Sequence, residues 1–358
     1  MRLFSYSKRP VHKGPYPLEK LARTSTAPDL SILAPIKPFL MVDGDDPYSI
    51  ARAMDDYLSL LDSVREGPVS GKKAEIPADP QERAEHLKAA GYFLDSSVVG
   101  VCRLTPEMTL AESFQHPNID KWLKKCESNK VHLRLNVSMI YRRMEQSIDL
   151  TQQTLDNHTH ALAVLVEYPR DPNPNESGTQ WIDGMQAQRA NLRAAETASV
   201  LALYLRTLGV DARAHSATSS DIDLRKVALA AGLAMIDGDN EITNPYTGRR
   251  FGLAVVTTSL ALKADKPLDP KGASNRFNGK GLTWWLGYGT HKTAWNWLPY
   301  GKRQFKDGLY PMEKIKRVDT TTSFIDADRI PRVPKSTEFF VRIAFGDLGD
   351  GPQEASVD

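Results

Sequence analysis

Apolar residues recur at helical spacing over 48–65, where Ile50, Met54, Tyr57, Leu58, Leu61 and Val64 fall on or near one face. The same period predicts a helix over 81–90 and a long one over 187–208. Gly209 closes the long helix, since glycine tolerates the left-handed conformation with which many helices end. Elsewhere the pattern changes to short continuous apolar runs. Residues 97–102, 161–168 and 251–258 read as strands, and the run Ala161-Leu162-Ala163-Val164-Leu165-Val166 belongs in the middle of a sheet. The prolines and asparagines of 169–175 make a loop. A short extended piece over 211–214 leads to a helix over 221–231, capped by Ser219 or Ser220. A glycine-rich crossing over 236–250 then returns the chain to the strand at 251–258.

The stretch from Arg193 to Pro267 therefore organises the chain, and its alternation of helix and strand is that of an α/β or α+β domain. Residues 1–45 are proline-rich and irregular, with one short helix over 17–21. Beyond 270 the texture changes again. Trp284, Trp285, Trp295 and Trp297 supply four of the six tryptophans, interleaved with Gly279, Gly281, Gly287 and Gly289. Such an arm packs on its own core or serves as an interface, because large exposed aromatics need covering. One octapeptide occurs twice. Tyr16-Pro17-Leu18-Glu19-Lys20-Leu21-Ala22-Arg23 returns as Tyr310-Pro311-Met312-Glu313-Lys314-Ile315-Lys316-Arg317, with the tyrosine, proline, glutamate, lysine and arginine identical and both apolar positions kept in kind. The repeat reads as a duplicated unit or as one docking element used at both ends.

Composition narrows the function classes. A net charge of +2 over 358 residues gives no bulk argument for nucleic acid, and the run Lys314 to Arg317 reads as a solvated face. The two cysteines, Cys102 and Cys126, rule out a disulfide scaffold and cannot supply the four ligands of one cubane iron–sulfur cluster. No signal peptide and no 18-residue apolar run is evident, so the expectation is a soluble cytoplasmic protein without a membrane span.

The ordered segments Leu201–His215, Ala228–Leu233, Ile242–Arg250, Val256–Leu260 and Asp265–Leu268 together resemble the cobalamin-binding core of reductive dehalogenases and epoxyqueuosine reductases. The resemblance implies a nitroreductase-like, three-layer α/β (α+β) fold, with a central mixed sheet flanked by helices and irregular N- and C-terminal extensions. Residues 130–268 would be the core, 1–129 an extension of helices and a strand packed on it, and 269–358 an arm for docking or oligomerisation. It further implies a corrinoid held in a deep cavity and fed by two iron–sulfur clusters, whose cysteines would follow the Asp265–Leu268 segment. Residues 269–285 contain no cysteine. Asp183 is the one acid in the segment Gly178–Gln186, where such enzymes place a proton donor ahead of the long helix, and so it is the catalytic candidate. Some catabolic dehalogenases resemble a fusion whose first half is vestigial, and this chain is similar to such a half.

On the resemblance, the candidate cofactor contacts are His215, Ser216, Ser219, Gly238, Tyr246 and Arg249, joined by Thr218, Ser220 and Arg250. Backbone amides of the 238–248 crossing suit phosphate or amide groups, although the Gly-x-Gly-x-x-Gly fingerprint is absent and a tight turn over Asn244–Gly248 explains the same residues. His158 and His160 would share a face in a strand, but no third metal ligand accompanies them, so no metal site is assigned. No Ser-His-Asp or Cys-His order stands out. Three functions follow: a corrinoid-related ligand-binding or degenerate non-catalytic protein; a docking or structural subunit, homodimeric or bound to a separate catalytic or redox protein; or a cluster-free reductase using flavin or an external donor.

Overall fold

A computed structural model describes residues 10–16, 18–39, 50–128, 142–147, 150, 154–168, 177–237 and 240–269. The loop expected at 169–175, the tryptophan cluster, the second octapeptide and the rest of the C-terminal arm from 270 lie outside the described residues.

Four strands form the central sheet: β1 (Val98–Arg103), β3 (His160–Glu167), β8 (Phe251–Thr258) and β4 (Ala212–His215), in the order β1-β3-β8-β4. Every residue of β3 from His160 to Val166 is buried, as expected for a strand covered on both faces. β3 pairs along its full length with β8, from His160↔Thr258 to Glu167↔Phe251. β1, from the 1–129 segment, pairs with the other edge of β3 and so belongs to the same sheet. The α/β architecture with a helix-flanked sheet is therefore present. Its described ladders are all antiparallel, so the expected mixed pairing is not found among these strands. The reason is topological: β8 returns between β3 and β4 and runs against both.

Alternate residues of each strand feed two cores. On one face Leu162, Val164, Ala254 and Val256 pack under helix α6 (Gln186–Thr207), through Ala194, Ala198, Leu201, Ala202 and Leu205. The alanine stripe lets α6 approach closely, and Gly252 of β8 lies directly beneath the α6 backbone at Ala190. Helix α2 (Pro80–Phe93) joins this layer, N-capped by Asp79, whose carboxylate accepts from Gln81 N at 3.0 Å. It runs three residues past the predicted end, through Gly91, and stops where Asp95 adopts a positive φ of 67°.

On the opposite face Ala161, Ala163, Leu165, Leu253 and Val255 meet helix α7 (Leu224–Ala230), together with Tyr16, Leu18, Leu21, Leu30 and Leu33 of the N-terminal segment. The helix predicted over 221–231 begins later than expected. Ser220–Ile222 instead forms strand β5, paired with β2 (Thr109–Phe114), and the cap is Asp223, accepting from Arg225 N at 3.0 Å, not a serine. The crossing contains a two-rung hairpin, β6 (Met235–Ile236) against β7 (Ile242–Thr243). Helices α1 (Ile50–Asp62), α3 (Ile119–Ser128), α4 (142–147) and the single turn α5 (Thr179–Ile182) complete the described elements. None of the described helices is long and apolar enough to cross a membrane.

Candidate functional site

Residues 213, 215 and 257 share the strand parity of the α7-side face, but here they are Arg213, His215 and Thr257 where β3 has apolar side chains. A polar cluster grows from them. Arg213 Nε binds Glu66 Oε2 at 2.5 Å, and its Nη1 binds Asp221 Oδ2 at 3.0 Å. The other Asp221 oxygen takes Arg65 Nη2 at 2.9 Å. Arg65, Glu66, Arg213 and Asp221 are all buried, so two cations and two carboxylates neutralise one another away from water. Burial alone would raise the Asp221 pKa, but the Arg65 and Arg213 guanidiniums outweigh it and hold the carboxyl below its ordinary range.

His215 is fully buried and lies between Asp221 and Thr257. The Asp221 amide donates to its Nδ1 at 3.3 Å, so Nε2 carries the ring proton and donates to Thr257 Oγ1 at 2.9 Å. The Thr257 hydroxyl is then free to donate to His158 Nδ1 at 2.7 Å, and His158 Nε2 reaches Asp211 Oδ2 at 3.3 Å. Desolvation drives the His215 pKa well below its ordinary value, and the ring stays neutral. The hydrogen bond from His158 holds Asp211 ionised, its pKa lowered.

The predicted pair Ser216 and Ser219 lies in the turn after β4. Ser216 Oγ donates to Asp62 Oδ1 at 2.7 Å while accepting the amides of Thr218 and Ser219, and Thr218 Oγ1 donates to Asp62 Oδ2 at 2.5 Å. Burial of Asp62 raises its pKa to about 6, against the opposing pull of these two hydroxyls. The structure thus brings His215, Ser216, Ser219, Thr218 and Ser220 together, but as mutually bonded interior groups. Arg65 Nη1 and Ser219 Oγ are the two members left without a hydrogen-bond partner among the described residues.

The remaining candidates lie elsewhere. Tyr246 sits in a turn closed by Asn244, whose Oδ1 accepts the amides of Tyr246 and Thr247 at 2.8 and 3.1 Å. Its ring stacks on Tyr16, with centroids 5.1 Å apart, and the Tyr16 hydroxyl donates to Glu167. Arg249 is ion-paired to Asp237 at 2.5 Å. Gly238 lies outside the described residues. Asp183 is exposed, its amide closing the turn of α5 on Thr179 O at 2.8 Å. His160 pairs with Thr159 and not with His158's partners, and no set of three metal-ligating side chains occurs among the described residues. Cys102 is buried, which pushes its thiol up to about 12 and leaves it unreactive.

A corrinoid would need a broad cavity walled by β3 and the 238–248 crossing. Here Tyr16, Leu18 and Leu21 share one buried apolar cluster with Ala161, Ala163 and Leu165 of β3 and with Met235 and Ile242 of the crossing. His215, Ser216 and Ser219 are at most 4% exposed. The described residues do not fit the group. A surface depression of about 270 Å³ beside His12, Glu82, Glu85 and His86 contains none of the predicted contacts. Reasoning from sequence missed Asp62, Arg65, Glu66, Arg213, Asp221 and Thr257. Of these only Asp62, with Leu60 and Val64 two residues to either side, carried a local signal, a charge set within an apolar stripe.

No family model and no curated protein matches the chain. Among solved structures it is similar to a reductive dehalogenase whose structure suggests a mechanism for B12-dependent dehalogenation, at 33% identity over 80% of this chain and 34% of that one, with a TM-score of 0.58. It is also similar to the catabolic reductive dehalogenase NpRdhA, N-terminally tagged, at 33% identity over 78% of this chain and 34% of that one, TM-score 0.58. The same dehalogenase in complex with 3-bromo-4-hydroxybenzoic acid matches at 32% identity over 80% and 34%, TM-score 0.57. Epoxyqueuosine reductase from Bacillus subtilis aligns at 14% identity over 52% of this chain and 48% of that one, with a TM-score of 0.32, a likeness that carries no argument. This chain has a reductive-dehalogenase-like fold, lacks the cysteine clusters that bind iron–sulfur centres, and spans about a third of the length of these dehalogenases.

Proposed function

From a reductive-dehalogenase-like fold whose expected ligand space is packed with its own side chains, we propose that this chain is a non-catalytic core. In this reading it docks onto a separate catalytic or redox protein of the dehalogenase type. One observation carries it: Tyr16, Leu18 and Leu21 are buried in one cluster with residues of β3 and the crossing, the two elements between which the sequence leads one to expect a ligand cavity. The ion-paired cluster around His215 supports it, because opening that cluster would strand buried charges. Asp183, on the surface, is then a solvated carboxylate and not a proton donor.

Two measurements test the proposal. The full chain is incubated with micromolar hydroxocobalamin, desalted, and read for corrinoid absorbance; no retained absorbance is expected. Stoichiometric retention that disappears in a Tyr246→Ala variant would overturn the non-catalytic reading. The tagged full chain, purified from its own cells, is expected to bring down a corrinoid-bearing protein in fixed ratio by native mass spectrometry. A chain recovered alone would overturn the docking reading.

A further inference from the structure

We propose that His12, Glu82, Glu85 and His86 are the ligands of one divalent transition-metal ion of the zinc class, which fastens the N-terminal strap to α2. The inference does not depend on the docking reading. It starts from where the histidines lie. Of the six histidines among the described residues, His116, His158, His160 and His215 are buried, and only His12 and His86 reach solvent. Both line the same surface depression of about 270 Å³, and Glu82 and Glu85 line it with them.

Two elements bring these side chains together. Glu82, Glu85 and His86 stand three and four positions apart on α2, so they share one face of the helix. His12 comes from the strap, four residues ahead of Tyr16, in the turn Val11–Lys13. The Gly14 amide closes that turn on Val11 O at 3.0 Å. Gly14 also seats it on the helix. It has φ +62°, and a Cβ there would lie 2.2 Å from the ring of Tyr92, a residue of α2. Only glycine lets the backbone come this close, so packing holds His12 over α2.

The spacings suit a ligand set. His86 Nε2 lies 3.6 Å from Glu82 Oε1, and His12 Nε2 lies 4.0 Å from Glu85 Oε1. Two ligands of a tetrahedral zinc ion, each about 2.1 Å from it, stand about 3.3 Å apart. Each pair therefore needs to close by less than about 1 Å to hold one ion. Gln81 Nε2 donates to Glu85 Oε1 at 2.7 Å, the kind of outer contact that orients a ligating carboxylate. In both pairs the carboxylate faces an imidazole, and this mixture of nitrogen and oxygen donors selects zinc and its neighbours over calcium or magnesium, which take oxygen. As the side chains stand, no three of them surround one point. They are 27% to 66% exposed, which leaves their rotamers free to turn into the depression, and the ion supplies the attraction that gathers the two pairs.

The test uses the full chain, stripped of metal, with Zn²⁺ alone as the probe in competition with a chromophoric chelator. One equivalent is expected to bind, and His12→Ala and His86→Ala are each expected to weaken it about tenfold or more. The pair His132→Ala with His291→Ala, at the two remaining histidines, is expected to leave the affinity unchanged. At about a hundredfold excess over its Kd, zinc is expected to raise the melting temperature of the wild-type chain by about 5 °C and that of His12→Ala by much less, because the ion joins two segments. No bound equivalent, or binding that follows His132 and His291, overturns the proposal. Binding lost in His86→Ala but kept in His12→Ala puts the ion on α2 alone and overturns the link to the strap. Should either alanine variant fail to fold, Glu82→Gln decides, since it keeps the side-chain shape and removes an anionic ligand; an unchanged affinity there overturns the proposal.

Discussion

The ring of Tyr16 lies against that of Tyr246 at 5.1 Å between centroids and 25° between planes, while the Tyr16 hydroxyl donates to Glu167 at the end of β3. One residue of the N-terminal segment thereby ties the crossing to the central strand. Tyr16 is 6% exposed, so its truncation removes a buried aromatic and leaves Glu167 without this donor. Tyr16→Ala is expected to cost about 3–5 kcal/mol. Tyr16→Phe, which keeps the ring, is expected to cost about 1 kcal/mol. Urea unfolding of the three proteins checks both values, and a Tyr16→Ala chain as stable as wild type would remove the strap from the core.

Asp62 gives the protein an unusual pH signature. Its folded pKa, raised to about 6 by burial, stands above its ordinary value of 3.8. A carboxyl raised in the folded state binds its proton more tightly there than in the unfolded chain. Its contribution is therefore fully present below pH 3.8 and is lost as the pH climbs through about 6. Asp211 and Asp221 are lowered and act in the opposite sense, contributing above their unfolded values and failing in acid. Asp62→Asn is expected to gain stability relative to wild type as the pH rises from 4 to 7, by about 1–3 kcal/mol. Paired urea titrations at those two pH values measure it. A difference that is flat or falls with pH would refute the assignment.

What the sequence made legible follows from range. The long helix α6 and the strands β3 and β8 announced themselves because their burial patterns are local and continuous. The start of α7 did not, because Ser220–Ile222 is drawn into pairing with β2, more than a hundred residues earlier. His215, Ser216 and Ser219 were legible as a convergent group, since they are nearly consecutive. Their partners were not: Asp62 and Arg65 sit about 150 residues away, at the end of a helix whose apolar face masked them. The covering of Tyr246 by Tyr16 is likewise a tertiary contact, invisible to pattern. For that reason a family resemblance could suggest ligand contacts where the fold has packed side chains.

Gly252 tests the packing of α6 on the sheet. A Cβ built on it would overlap the Ala190 carbonyl carbon and the Asn191 nitrogen, both backbone atoms that no rotamer change can move. Gly252→Ala must push the helix away from β8, so a loss of about 2–3 kcal/mol or more is expected. Gly71→Ala is the control, since a Cβ there meets no atom within 4 Å, and it is expected to lie within about 0.5 kcal/mol of wild type. Equal effects in urea unfolding would mean that the helix–sheet contact is looser than the structure has it.

Arg213 is where the cluster can be taken apart. Among the described residues it is the one side chain that bonds both Glu66 and Asp221, and it also donates from Nη2 to Leu150 O at 2.7 Å. Its side chain is 4% exposed, as is that of Glu66. Arg213→Ala leaves a carboxylate buried without its cation, and the expected cost is about 3–5 kcal/mol. Removing the stranded charge as well should return part of that cost, so Arg213→Met with Glu66→Gln is expected to be more stable than Arg213→Met alone. A strictly additive double variant would mean that the two residues do not interact across the 2.5 Å contact. Coupling of more than about 1 kcal/mol would instead show that the buried pair stabilises the fold as a unit.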